Sequence, residues 1–140
     1  MLPNPIEKVM QDSQLENGAL EATFCPELKA IINSFPNQLS TSDFIATCSS
    51  ALEKLVEYQC NKLIADTTDL GVMGKEKQEF IQQEWFPKAI AIGLKKVAFV
   101  VPKDVFGKFG MEKANKEAEG SPIDMKYFDS LEEAKEWIKS

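Results

Sequence analysis

Two short apolar runs constrain the fold of this 140-residue chain most strongly. The first reads KLIAD at residues 62–66, and the second reads KVAFVV at residues 96–101 and ends at Pro102. Continuous apolar runs of this length are typical of strands that are covered on both faces. Helical patterns precede the first run and separate the two, so the sequence predicts an α/β fold in which helices cover parallel strands.

The helix before KLIAD has the clearer signals. Ser40 offers a side-chain oxygen to the free amides of a first turn, and an apolar stripe through Phe44, Cys48 and Leu55 then repeats every 3.6 residues to about residue 58. A second helix is predicted from about residue 75. Pro87 should kink it or restart it, and Gly93 should end it.

The final part of that second helix is apolar nearly all round. Ala89, Ile90, Ile92 and Leu94 lie within six residues of one another. A helix without a polar face is normally buried, so we expect this piece to be well buried.

The remaining elements complete the order β-β-α-β-α-β-α-β-α. Strands at residues 18–24 and 28–35 flank a Cys25-Pro26-Glu27 turn and predict an antiparallel hairpin, in which Lys29 and Asn33 indicate one wet face. A short helix or lid is predicted at 104–119, a half-exposed outer strand at 123–127 and a Ser130-capped helix after it. Residues 1–17 are interpreted as an N-terminal arm or extra strand, and residues 18–140 as a single domain.

Composition excludes several kinds of chemistry. The chain has no His, and all 16 basic residues are Lys, so His-based nucleophile pairs, most zinc sites and Arg clamps on phosphate are excluded. The net charge of −6 opposes binding to nucleic acid. We expect no catalytic residue, no metal site and no cofactor. An enzyme would have to rely on Asp66, Asp69, a Lys or a Cys.

The cysteines, the N-terminus and the length of the apolar runs indicate in which cellular compartment the protein is expected. Cys25, Cys48 and Cys60 are odd in number and widely spaced, which favours free thiols in a reducing environment. The N-terminus lacks the apolar core of a signal peptide, and no run approaches the ~20 residues that span a bilayer. We therefore expect a soluble, cytoplasmic protein without a membrane span.

Two groups of residues are candidate sites. An aromatic set around the second helix and the predicted lid could line an apolar ligand pocket or simply form core; it comprises Trp85, Phe86, Phe99, Phe106 and Phe109. The second group follows KLIAD at the carboxyl end of a strand, where α/β proteins often bind ligands, and comprises Asp66, Thr67, Thr68 and Asp69. The alternative for this group is turn chemistry that ends the strand.

Three segments resemble the STAS-like family, which includes SpoIIAA-like and SEC14-like bacterial proteins of unknown function. They are LIADTTDLGVM at 63–73, EWFPKAIAIGLKKVAFVV at 84–101 and YFDSLEEAKEWI at 127–138. The resemblance implies a STAS-like mixed sheet with helices packed on it. Members with a phosphoserine switch carry the serine at the position of Gly74–Lys77, where this chain has no hydroxyl group.

Two functions follow as expectations. The first is a non-enzymatic STAS-like regulatory or interaction domain without the phosphorylatable serine, which contacts a protein partner or itself through a helix face or the outer strand. The alternative is a carrier or sensor of a small apolar, lipid-like ligand, because the SEC14-like resemblance implies such a pocket. The discriminating observation is a cavity between the second helix and the sheet.

Overall fold

The computed structural model describes residues 22–36, 39–70, 74–104 and 122–139. The predicted arm at 1–17 and all but the first residue of the predicted lid at 104–119, with Phe106 and Phe109, lie outside these ranges. In chain order the elements are β1 (Ala22–Cys25), β2 (Ala30–Ser34), α1 (Thr41–Glu57), β3 (Lys62–Asp66), α2 (Lys75–Phe80), a π-helical turn (Ile81–Trp85), α3 (Phe86–Ala91), β4 (Lys96–Val100), β5 (Asp124–Phe128) and α4 (Leu131–Lys139).

The five strands form one mixed sheet in the order β1-β2-β3-β4-β5. β1 pairs antiparallel with β2, and each later pair is parallel. The predicted α/β class, the hairpin and the helix-covered parallel strands are confirmed at this level. KLIAD is the central strand, and Leu63, Ile64 and Ala65 are all buried there.

The sheet separates two cores, because successive side chains of a strand point to opposite faces. On the first face, here called the α1 face, α1 and the helical segment 75–91 cover a core that includes Ile31, Leu63 and Val97. On the opposite α4 face, α4 packs on β3, β4 and β5 through Ala134 and Ile138, against Ile64 and other side chains.

Local signals set the helix ends as predicted. The Ser40 side chain accepts a 3.1 Å hydrogen bond from the amide of Asp43, and Ser130 accepts one of 3.4 Å from the amide of Glu133. Gly93 follows α3 with a φ of +90°, which is the left-handed conformation that glycine adopts freely at a helix end.

The break at Pro87 takes the form of a π-helical turn. The amide of Phe86 donates to the carbonyl oxygen of Ile81, five residues earlier, and α3 begins at once with Pro87 in its first turn. Proline has no amide hydrogen to donate, so the start of a helix is where it costs least. The predicted restart at this proline is confirmed.

Two local predictions are wrong. Leu28 lies in the turn and not in a strand: the turn spans residues 26–29, the Leu28 amide donates to the Cys25 carbonyl oxygen at 3.3 Å, and Lys29 has a φ of +52°. In the second helix, Ile90 and Ile92 are 47% and 42% exposed, so this piece is not buried all round. Within α3 only Ala89 is fully buried, as part of the core on the α1 face, and Leu94 is buried after the helix ends.

Candidate functional site

A pocket of about 650 Å³ lies on the α1 face, between the helical segment 75–91 and the sheet. Its volume is in the range of sites that hold a small organic ligand. Most of the described residues that line it are apolar or aromatic; they include Phe35, Phe44, Leu63, Leu70, Ile81, Trp85, Phe86, Phe99, Val101 and Met125. The pocket lies between the second helix and the sheet, where the presence of a cavity discriminates between the two functions expected from the sequence.

The floor of the pocket is a row of four side chains on four adjacent strands. Asn33 on β2 is in register with Ala65 on β3, Ala65 with Phe99 on β4, and Phe99 with Tyr127 on β5. The Phe99 and Tyr127 rings stack with centroids 5.1 Å apart. Ala65 is the smallest member of the row, so it leaves room between the amide of Asn33 and the stacked rings.

The helical segment 75–91 forms one wall. Gln78 and Gln82 lie four residues apart and both line the pocket, as do Ile81, Trp85 and Phe86. Side chains three and four positions apart share a face of a helix, which explains this stripe. The Trp85 and Phe86 rings meet edge to face with centroids 5.1 Å apart.

Helix α1 forms a second wall through Phe44 and Cys48. The indole Nε1 of Trp85 donates a buried 3.0 Å hydrogen bond to the carbonyl oxygen of Cys48. This bond joins the two walls across 37 residues of sequence, so the π-helical turn is held against α1 at the level of the pocket.

The strand-end loop contributes to the same pocket. Thr67 and Thr68 line it, whereas Asp66 and Asp69 are not among its lining residues. Asp66 Oδ1 accepts from the Thr68 amide at 3.1 Å and from the Thr68 hydroxyl at 2.6 Å, and the Thr67 hydroxyl donates to the Val100 carbonyl oxygen at 2.7 Å. Asp66 and Thr68 therefore supply the turn chemistry that the sequence left open as the alternative, whereas the Thr67 hydroxyl bonds to the neighbouring strand β4.

Some residues of each candidate group thus come together in one site. Trp85, Phe86 and Phe99 of the aromatic set come together with Thr67 and Thr68 of the loop. Phe106 and Phe109 lie outside the described residues.

The lining is uncharged. None of the described residues that line the pocket is Asp, Glu or Lys. Burial raises the pKa of the Cys48 thiol to about 12, and burial also raises the pKa of the Tyr127 phenol, so both groups are neutral near pH 7. An ionised ligand group would lose its hydration here without gaining a counter-ion from this lining.

Asn33 is the lining residue that the sequence analysis misplaced. It was interpreted as a marker of a wet strand face, yet it is only 2% exposed. The alternation of β2 puts Asn33 on the same face as Ile31, which is fully buried. A polar residue in line with a buried apolar one was the available signal. Phe35, Phe44 and Tyr127 were missed as lining residues because nothing local connects them to the second helix.

Within the described ranges, no group of three or more Cys, Asp or Glu side chains is placed so that it could hold a metal ion. Cys25, Cys48 and Cys60 are free thiols. Among the helices of the described ranges, none combines the length and apolar character required to cross a bilayer.

Comparison with protein-family models, curated proteins and solved structures finds no match to this chain. The α/β class with a five-stranded mixed sheet rests on the structure itself. The STAS-like resemblance and the missing serine switch stay predictions.

Proposed function

We propose that this protein binds a small, uncharged and mainly apolar molecule in the pocket between the helical segment 75–91 and the sheet. The observation that carries this proposal is the combination of a volume of about 650 Å³ with a lining whose described residues are uncharged and mainly apolar or aromatic. Burial of apolar ligand surface against such a lining is favourable by about 25 cal/mol for each Å² removed from water. A carrier or a sensor of a lipid-like compound is the function this chemistry supports best.

The wall residues offer a matched pair of variants for testing the proposal. Gln82 and Gln83 are neighbours in the π-helical turn and both are exposed, but only Gln82 lines the pocket. Gln82→Trp places a large ring at the pocket, whereas Gln83→Trp places the same ring beside it. Since both side chains reach solvent, we expect both variants to fold.

Binding is measured with Nile red, an uncharged dye whose emission shifts to the blue in apolar surroundings. We expect saturable binding to the wild-type chain, a loss of about tenfold or more in affinity in Gln82→Trp, and a change within twofold in Gln83→Trp. Native mass spectrometry of the gently purified protein should also show an added mass of lipid size. No saturable dye binding, or equal loss in the two variants, would contradict the proposal.

A second candidate function is the regulatory or interaction domain expected from the sequence. One observation favours it: Val56, Tyr58, Ile90 and Ile92 are between 42% and 58% exposed, and all four lie at the carboxyl-terminal ends of α1 and α3. These helix ends precede β3 and β4, at the opposite end of the strands from the strand-end loop. This apolar surface would suit a contact between two copies of the chain.

Light scattering tests this second candidate directly. We expect a mass between one and two chains that falls on dilution and returns to one chain in Ile92→Lys. Gln83→Lys, which adds the same charge on an exposed site of the π-helical turn, serves as the control. A single-chain mass at all concentrations would exclude self-association through this surface.

A further inference from the structure

One buried polar atom of the pocket lining has no hydrogen-bond partner among the described residues. The Asn33 side chain is 2% exposed and lines the pocket, but its Oδ1 has no hydrogen-bond partner within the part of the chain that the structure describes. Buried polar atoms in folded proteins are nearly always paired, so such an acceptor calls for an explanation.

The neighbours of Asn33 fix which end of the amide is unpaired. Its Nδ2 donates to the carbonyl oxygen of Thr47 in α1 at 3.3 Å, and a carbonyl oxygen can only accept. The Thr47 hydroxyl donates to the Asp43 carbonyl oxygen at 2.7 Å, so its hydrogen is already committed. An amide turned by 180° would set two acceptors against each other. Oδ1 is therefore the end without a partner.

An unpaired buried acceptor destabilises the folded state, because the oxygen loses its water without gaining another donor. A leucine at this position would keep the number and branching of the side-chain heavy atoms and would avoid this destabilisation. The residue beside it in register, Ala65, leaves open space on the same face. A ligand that places a hydrogen-bond donor in this space would pair with the amide oxygen and would remove this destabilisation.

The charge of the pocket limits the chemistry of that donor. No charged side chain is present among the described lining residues, so an ammonium group would lack an anion and a carboxylate would lack both a cation and a proton to donate. A neutral hydroxyl or amide N–H group meets both conditions. We propose that the natural ligand is an apolar molecule with an uncharged hydrogen-bond donor that pairs with Oδ1 of Asn33; this inference rests on the proposed ligand-binding function.

The test compares two probes in which the hydroxyl hydrogen of one is replaced by a methyl group in the other. 1-Decanol carries a hydroxyl group, and its methyl ether keeps the chain and the oxygen but has no hydrogen to donate. Both are measured by displacement of Nile red, with decanoate as a charged third probe. We expect the alcohol to bind the wild-type chain about tenfold or more tightly than the ether, and decanoate to bind more weakly than the alcohol at pH 7.

Two variants connect the preference to one atom. Asn33→Leu removes the acceptor and keeps the number and branching of the side-chain heavy atoms, and we expect it to bind alcohol and ether within twofold of each other. Gln83→Leu removes a polar side chain of the π-helical turn that does not line the pocket, and it should keep the preference of the wild-type chain. Asn33→Ala serves as a second variant if the leucine disturbs folding, which urea unfolding reports.

The outcomes separate this inference from the proposed function. If alcohol and ether displace the dye equally well from the wild-type chain, the pocket binds apolar molecules and the role of Asn33 is overturned. If the preference persists in Asn33→Leu, the donor is recognised elsewhere and the role of Asn33 is again overturned. If neither probe displaces the dye and the dye itself does not bind, the proposed function fails and the inference fails with it.

Discussion

The indole Nε1 of Trp85 lies 3.0 Å from the carbonyl oxygen of Cys48 and donates a hydrogen bond to it. Trp85 closes the π-helical turn, and Cys48 lies in the middle of α1. Both residues line the pocket, so this bond sets the separation of two of its walls. The position of α1 relative to the helical segment 75–91 is thus fixed by this hydrogen bond at the pocket as well as by packing in the core.

Replacement of Trp85 by Phe should weaken both the fold and the pocket. The variant keeps an aromatic ring but loses the hydrogen bond and part of the buried ring surface, and we expect a loss of about 1–3 kcal/mol in the free energy of unfolding. Nile red affinity should fall as well, because a pocket wall is released. Urea unfolding and dye titration measure the two effects.

Trp137→Phe is the control for that experiment, because Trp137 packs on the α4 face near Phe128. It also leaves Trp85 as the single tryptophan of the chain, so a ligand should change its emission. Unaltered stability and unaltered dye affinity in Trp85→Phe would show that the bond to Cys48 stabilises neither the fold nor the pocket.

The Cys48 thiol should make the fold sensitive to alkaline pH. Burial raises its pKa to about 12 in the folded chain, against about 9 for an ordinary thiol. Between these values the folded state retains a proton that the unfolded state has lost, so stability is complete below about pH 9 and falls as pH rises toward 12. The slope from one such thiol approaches about 1.4 kcal/mol for each pH unit.

Urea unfolding in reducing buffer from pH 8 to pH 11 measures this loss. Cys48→Ala has no thiol at this position and should show a shallower decline than the wild-type chain. Burial also raises the pKa values of Cys60 and Tyr127, so part of the decline should remain in the variant. Identical slopes for the two proteins would contradict the role of Cys48.

Neighbouring residues of β3 should separate stability from binding. Leu63 lines the pocket on the α1 face, whereas Ile64 is completely buried in the α4 core. Leu63→Val and Ile64→Val each remove one methylene group, and each should reduce the free energy of unfolding by about 0.5–1.5 kcal/mol. Only Leu63→Val changes the pocket, so only that variant should change Nile red affinity by more than twofold.

The two valine variants act as controls for each other, since they alter the same strand by the same amount. Urea midpoints and dye titrations are compared side by side. An equal change of dye affinity in both would mean that the dye responds to general loosening of the sheet and not to the α1 face.

Much of the fold was predictable because its signals are local. The Ser40 cap acts on an amide three residues away, and Gly93 and Pro87 act within one helical turn. KLIAD was identified as a central strand from its continuous apolar pattern, which requires cover on both faces. These features depend on neighbours in sequence and can therefore be predicted without knowledge of the tertiary structure.

By itself the sequence determined the order of the described strands and helices, the parallel pairing from β2 to β5 and the helix start at Pro87, since each follows from short-range sterics and from hydrophobic periodicity. Only the tertiary structure decided that Asn33 is buried, that Ile90 and Ile92 are exposed, and that Trp85 meets Thr67 in one pocket. Whether a residue is buried depends on which other parts of the chain pack over it. For Asn33 that cover includes α1, whose Thr47 carbonyl lies 14 residues along the chain, and for Cys48 it is a tryptophan 37 residues away.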